Sequence, residues 1–179
     1  AFLKLKMDYE SLKAINPKLI YGNISGFGEA SSRVAFDVVL QAESGFMFMN
    51  GEAGGNIVKM PVALIDILTA HQLKEAILLA LLKQQTTGKG SYVSVSLMET
   101  AIASLANQAT NWLMGGHIPQ RMGTAHPNIA PYGDIFQTSD EKLLVLAVGN
   151  DKQFARMCET LEQNKLATDK RFANNSLRV

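Results

Sequence analysis

Tyr92-Val93-Ser94-Val95-Ser96-Leu97 alternates apolar and polar side chains, which places Val93, Val95 and Leu97 on one face of an extended strand. Thr87-Gly88-Lys89-Gly90 turns the chain just before it, with glycines able to adopt positive φ. Ahead of the turn, apolar residues at helical spacing run through Leu73, Ile77, Ala80 and Leu81 to about Gln84, with Lys74, Glu75 and Lys83 on other faces. This spacing predicts a mostly buried helix. The same helix-then-strand order occurs earlier. Asp8 is an N-cap candidate for Tyr9–Ile15, Asn16-Pro17 stops that helix, and Leu19–Ile24 reads as a strand. Helix followed by strand points to a layered α/β unit.

After Leu19–Ile24, Ser25-Gly26-Phe27-Gly28 is a tight turn, and Val34–Ala42 carries Phe36, Val39 and Leu40 at helical spacing. Phe46–Met49 reads as a short strand ending in the Asn50-Gly51 turn. A helix rich in small residues is predicted from about Met98 to Met114. The polar stretch from Gly115-Gly116-His117-Ile118-Pro119 to about Gly133 is longer than most connections inside a domain, so it reads as a linker or functional loop. Beyond it, Leu143–Val148 is a predicted strand, Asp151 caps a helix from Lys152 to Leu161, and the polar tail from Glu162 lacks a closing element.

Within Met60–Leu68, Asp66 is the only charged residue. Removing a carboxylate from water costs several kcal/mol unless it is paired, so Asp66 is the first candidate for chemistry. On residues alone, the favoured reading is a helix N-cap accepting N–H bonds from Leu68 or Thr69. The two readings are compatible, because a helix start favours the carboxylate anion and an ionised carboxylate in a dry site is a usable nucleophile.

Other motifs are weaker. Gly26-x-Gly28-x-x-Ser31 follows a strand, but Ser31 replaces the third glycine of a dinucleotide fingerprint, and a plain turn is the better reading. Gly88-Lys89-Gly90-Ser91 lacks the upstream glycine of a phosphate loop and leads into a strand. His71 lies about 140° round the helix from Asp66, so spacing gives no acid–base pair. With three histidines and one cysteine, none at ligand spacing, no metal site is expected. Seventeen basic and sixteen acidic residues, scattered rather than striped, argue against a nucleic-acid surface. The longest apolar run, Ala76–Leu82, falls far short of the roughly 20 residues that cross a bilayer. The lone Cys158 and an opening Ala1–Met7 without signal-peptide character make a soluble protein of the reducing cytoplasm the expectation.

Taken together, Asn16–Tyr21 with Ser25–Gly28, Val62–Thr69, Thr87–Leu97, Leu105-Ala106-Asn107-Gln108 and Gly123–Tyr132 resemble the class III CoA-transferases, the formyl-CoA and carnitine CoA-transferase family. The resemblance covers nearly the whole chain in order. It implies that Asp66, with Ala63 and Thr69 in an Ala-x-x-Asp-x-x-Thr pattern, is the catalytic nucleophile, and that Ser25, Gly26 and Phe27 contact CoA. Arg121, His126 and Tyr132 in the long loop are candidate carboxylate contacts. No tightly bound cofactor is implied; a coenzyme A thioester is the substrate, and the partners are an acyl-CoA donor and a small carboxylic acid acceptor. The implied fold is α/β: part of a Rossmann-like large domain over residues 1–115, a linker over 116–133, and the start of a smaller α+β domain over 134–179, in an interlocked homodimer. Family members are well over twice this length, and much of their CoA surface would precede Ala1.

Two departures stand out. The family's glycine–proline pair after the Ser25–Gly28 turn is missing, and Glu29–Arg33 is shortened. Related α-methylacyl-CoA racemases carry Gly-His-Asp where this chain has Ala35-Phe36-Asp37, so Phe36 removes one proton-transfer group and disfavours racemisation. Two other readings stand beside the transferase: a non-catalytic scaffold or dimerisation fragment, and a nucleotide binder using Gly26 and Gly28.

Overall fold

The computed structural model describes residues 3–179, so Ala1 and Phe2 of the opening stretch lie outside it. The alternating segment forms β2 (Ser91–Ser96) and pairs in parallel with β1 (Ile20–Ser25), with Tyr21 opposite Tyr92 and Ser25 opposite Ser96. A parallel pair needs a crossover, supplied here by α2 (Asp37–Glu43), α3 (Phe46–Met49) and α4 (Leu64–Thr87). Before β1 comes α1 (Tyr9–Ile15), capped by Asp8, whose carboxylate accepts from the Ser11 N–H at 3.1 Å. Tyr9, Tyr21 and Tyr92 cluster on one face of the strand pair with ring centroids 5.3–6.0 Å apart.

The opposite face carries α4. A methyl built on Gly22 would stand 3.2 Å from Leu73 Cδ1, so glycine lets this helix lie close against β1. Gly88, in the left-handed conformation at φ 67°, ends the helix. Ile65, Thr69 and Ala80 are buried, whereas Leu78, Leu79 and Leu82 are 53%, 67% and 60% exposed. The expectation of a mostly buried helix is therefore corrected. A two-stranded sheet with α2 and α5 covers one side of a helix that is apolar nearly all round.

Phe46–Met49 is a helical turn, not the expected strand; four consecutive apolar residues carry no period that separates the two, and Phe46 packs onto the Leu40, Ile65 and Ala101 core. The small-residue helix is two helices, α5 (Leu97–Ala103) and α6 (Ala106–Gly115), broken where Ala106 takes φ 50°.

The chain separates into two compact units, one of residues up to Phe48 with Val58–Ile118, the other of Met49–Ile57 with Pro119–Val179. The second contains the antiparallel pair β3 (Tyr132–Gln137) and β4 (Leu143–Ala147), then α7 (Asp151–Thr160), α8 (Asn164–Ala167) and α9 (Asn175–Arg178). Its core is Val148, Phe154 and Cys158 with Met157, Ala167 and Phe172 packed round them. Asn150, rather than the expected Asp151, caps α7 by accepting from the Gln153 N–H at 2.9 Å. The tail does have a closing element. Arg178, its side chain 3% exposed, pairs with Asp151 at 2.6 Å and donates to the Ala130 and Phe172 carbonyls, each at 3.0 Å. No helix of the described residues is long and apolar enough to cross a membrane.

Candidate active site at the carboxyl edge of the parallel strands

Helix α4 ends where β2 begins, and Gln84 near its C-terminus donates to the Lys18 carbonyl just ahead of β1. It therefore runs opposite to both strands, and its first turn lies toward their carboxyl edge. Leu73 fixes the level, since it packs over Gly22. Asp66 is seven residues back along the helix, about 10 Å at 1.5 Å per residue, and Ser25 is three residues on along β1, about 10 Å at 3.3 Å per residue. Asp66 and the Ser25-Gly26-Phe27 turn thus share the edge at which open parallel sheets bind ligands.

The turn is held from three sides. The Met98 N–H and the Ser96 hydroxyl donate to the Gly26 carbonyl at 3.0 and 3.4 Å. Phe27 packs onto the core formed by Leu40, Ile65 and Ala101, and the Arg33 guanidinium lies 3.7 Å from its ring centroid. Because Ile65 precedes Asp66, one hydrophobic cluster links the turn to the start of α4. The Ser25 hydroxyl donates to the Val95 carbonyl at 3.4 Å, and Ser25 lines an open cleft of about 330 Å³ with Gly28, Glu29, Ser94, Val95, Ser96 and Glu99. Hydrogen bonds, first from the Tyr92 hydroxyl and then from Ser94, hold the Glu29 carboxyl below its ordinary range. A cleft with two carboxylates, Glu29 and Glu99, repels phosphate.

Asp66 does not cap its helix. Ala63 occupies the cap position with no side-chain bond, and Asp66 sits in the first turn with its carboxylate exposed and accepting no hydrogen bond among the described residues. The cap comes from another helix: Asp37 Oδ1 accepts from the Ile65 N–H at 2.7 Å and the Asp66 N–H at 3.3 Å. With those donors taken, the anion is not favoured in the way the sequence suggested. Partial loss of hydration, and secondly the Asp37 charge, push the Asp66 carboxyl above its ordinary range. The expected dry site is also corrected, since the side chain is exposed at the edge of this unit.

Asp37 and its partner Gln41 are the residues that local reading missed. Gln41 is fully buried; its Nε2 donates to Asp37 Oδ2 at 2.5 Å and to the Val62 carbonyl at 3.3 Å, and its Oε1 accepts from the Met60 N–H at 2.9 Å. A polar pair four apart at a helix start was the available signal. Phe36 is 64% exposed at the N-cap position of α2 and offers no proton-transfer group. His71 is exposed and its Nδ1 lies 2.9 Å from Lys74 Nζ. After Gly26 and Gly28 the next helix starts only at Asp37, with a carboxylate in its first turn, a poor seat for a dinucleotide pyrophosphate.

In the second unit, the His126 and Tyr132 rings meet edge-on with centroids 5.5 Å apart, and His126 Nδ1 accepts from the Asn128 N–H at 3.1 Å. That bond puts the proton of a neutral ring on Nε2. Arg121 is half-buried in the same unit. Among the described residues, no group of three or more His, Cys, Asp or Glu side chains could hold a metal ion.

The family model described as CoA-transferase family III matches residues 1–179. The chain belongs to CoA-transferase family III. It is 44% identical over 179 residues to the succinate–glutarate CoA-transferase of Agrobacterium fabrum, covering 98% of this chain and 44% of that protein. It is 36% identical over 180 residues to the acetyl-CoA:oxalate CoA-transferase of Acetobacter aceti, covering 98% of this chain and 46% of that one. Among solved structures, a CaiB/BaiF family protein from Brucella suis matches with a TM-score of 0.77 and 43% identity over 99% of this chain and 47% of that chain. The family III chain described here thus spans less than half the length of the relatives it matches.

Proposed function

We propose that this chain carries the nucleophile of an acyl-CoA:carboxylate CoA-transferase working through an aspartyl-CoA thioester, with a dicarboxylic acid as acceptor. The observation that carries the reading is Asp66 itself: an uncapped, unbonded carboxylate on the first turn of α4, at the strand edge shared with Ser25-Gly26-Phe27. A carboxyl pushed above its ordinary range is more basic, hence more nucleophilic when ionised.

An Asp66 oxygen attacks the donor thioester carbonyl; a C–O bond forms, the C–S bond breaks, CoA thiolate leaves with the electron pair of that bond, and a mixed anhydride of Asp66 and the donor acid remains. The thiolate then attacks the aspartyl carbonyl carbon, and the donor acid departs as its carboxylate. The acceptor carboxylate attacks the resulting aspartyl-CoA thioester and the same steps run backwards, returning Asp66 as a free carboxylate. No net proton moves, so a site without a histidine base suffices. Backbone N–H groups of the Ser25-Gly26-Phe27 turn steady the developing oxyanion. Arg121, His126 and Tyr132 contact the acceptor, and the relatives' named acids, glutarate and oxalate, support a dicarboxylate.

The finer architecture is part of the same proposal. The β1–β2 pair with its helices belongs to a Rossmann-like large domain spanning 1–115, residues 116–133 connect it to a smaller α+β domain starting at 134, and the enzyme is an interlocked homodimer of the cytoplasm.

The test uses the intact protein incubated with succinyl-CoA or acetyl-CoA and candidate dicarboxylates, then treated with hydroxylamine. A hydroxamate mapped to Asp66, and a loss of transfer on the order of 10³-fold or more in Asp66→Asn, are expected. An Asp66→Asn protein that still transfers CoA ends the proposal.

A further inference from the structure

Asp37 makes two demands on the start of α4 that a structural cap alone does not. Its Oδ1 takes the Ile65 and Asp66 N–H groups at 2.7 and 3.3 Å, which fixes the backbone from which the Asp66 side chain projects. Its Oδ2 is held at 2.5 Å by the fully buried Gln41, whose other bonds, to Met60 and Val62, pin the strand of chain leading into the helix. The carboxylate cannot swing away. A negative charge is thereby locked beside a second carboxylate at a helix start where the charge-stabilising N–H groups are already used.

We infer that Asp37 is a positioning residue for Asp66: it aims the nucleophile through the backbone and destabilises its anion, a repulsion released when Asp66 is acylated and loses its charge. The inference rests on the reading of Asp66 as nucleophile. Forming the anhydride or the aspartyl thioester converts two neighbouring anions into one, so Asp37 favours the acylated states over the resting state. The direction of the Asp66 shift agrees, with desolvation first and Asp37 second.

The other titratable groups on elements packed against α4 are Glu43 on α2, Glu99 on α5, Tyr21 on β1 and Tyr92 on β2; α4 itself carries His71, Lys74, Glu75 and Lys83. Glu43 is paired with Arg33, and Asp37 is the only charge among them that shifts Asp66.

The experiment compares wild type, Asp37→Asn and Asp37→Ser in the intact protein, reading the pH profile of CoA transfer, kcat against KM, and the Asp66 hydroxamate. Asn keeps a cap acceptor for the two N–H groups while removing the charge; Ser, one bond shorter, removes the charge and weakens the cap, and either reads the acid limb if the other fails to fold. Transfer by the Asp66 anion rises as pH climbs through its pKa in the folded protein, which lies above the ordinary carboxylate value. Removing Asp37's charge moves that acid limb to lower pH, and lowers kcat about tenfold with little change in KM. A cap that only holds the helix together would not move the limb. An Asp66 adduct in wild type, with an acid limb and kcat unchanged in the neutral variants, overturns this inference alone. No Asp66 adduct in wild type overturns the nucleophile reading and this inference with it.

Discussion

Gly22 is the point at which a small change in the sheet moves the helix that carries Asp66. A methyl placed there would meet Leu73 Cδ1 at 3.2 Å, Ile77 Cδ1 at 3.6 Å and Leu73 Cδ2 at 3.7 Å. Ordinary carbon–carbon contacts lie at about 3.5–4.0 Å, so alanine is short of space by only a few tenths of an ångström, all of it against the tip of one leucine. Replacing glycine also removes unfolded-state freedom worth about 0.4–1 kcal/mol. The two effects nearly cancel, and Gly22→Ala should leave stability within about 1 kcal/mol of wild type. Valine adds two methyls where no space remains. Overpacking should then cost about 1–3 kcal/mol and push α4 outward from β1. Because Asp66 rides two turns along that helix, Gly22→Val should also lower kcat for CoA transfer more than it raises KM. Leu73→Ala makes the missing room, so the double variant should recover at least about 1 kcal/mol relative to the sum of the single changes. Urea denaturation of the four proteins gives the cycle. Equal costs for alanine and valine at position 22, or strict additivity with Leu73→Ala, would show that α4 does not bear on Gly22 as described.

Three further outcomes follow from the second unit and the core. Arg178→Ala should destabilise by about 2–3 kcal/mol, below the full cost of breaking a buried pair because Asp151 is 60% exposed, and Arg178→Lys should restore little since the fork of donors is lost. Thermal melting of the three proteins checks it. Cys158, fully buried, should react with a thiol reagent only through opening of the second unit, so at fixed reagent its labelling rate should rise steeply with urea. Ile65→Ala should cost about 2–5 kcal/mol by denaturant unfolding and loosen the Asp66 turn, whereas Ile67→Ala, 48% exposed, should cost far less.

What the chain shows in one dimension is set by what is local. β1, β2, the Asp8 cap and α4 follow from residue patterns and turn residues within a few positions, although Leu97, expected to continue β2, opens α5 and α4 is less buried than its pattern suggested. Phe46–Met49 fails because four apolar residues have no period, and the Met98–Met114 helix fails because its break depends on one residue, Ala106, taking a left-handed backbone that its side chain does not advertise. The closing of the tail by Arg178 spans 27 residues to Asp151, beyond any local pattern. At the candidate site the split is the same. Asp66 is visible as a lone charge in an apolar run, but the group that caps its helix stands 29 residues earlier in the chain.

That distance has a chemical consequence. A helix that capped itself through Asp66 would spend the carboxylate on its own N–H groups, lower its basicity and tie both oxygens down. Taking the cap from α2 leaves the Asp66 oxygens without a partner among the described residues and more basic than an ordinary carboxylate, while the buried Gln41 keeps the accepting carboxylate of that cap, Asp37, from moving. The helix stays anchored and the Asp66 carboxylate stays unbonded among the described residues. Under the proposed mechanism Asp66 is acylated, attacked at its carbonyl by the thiolate and then by the acceptor, and released as a free carboxylate once per cycle, which needs both properties, and they combine on this helix turn because its cap comes from α2.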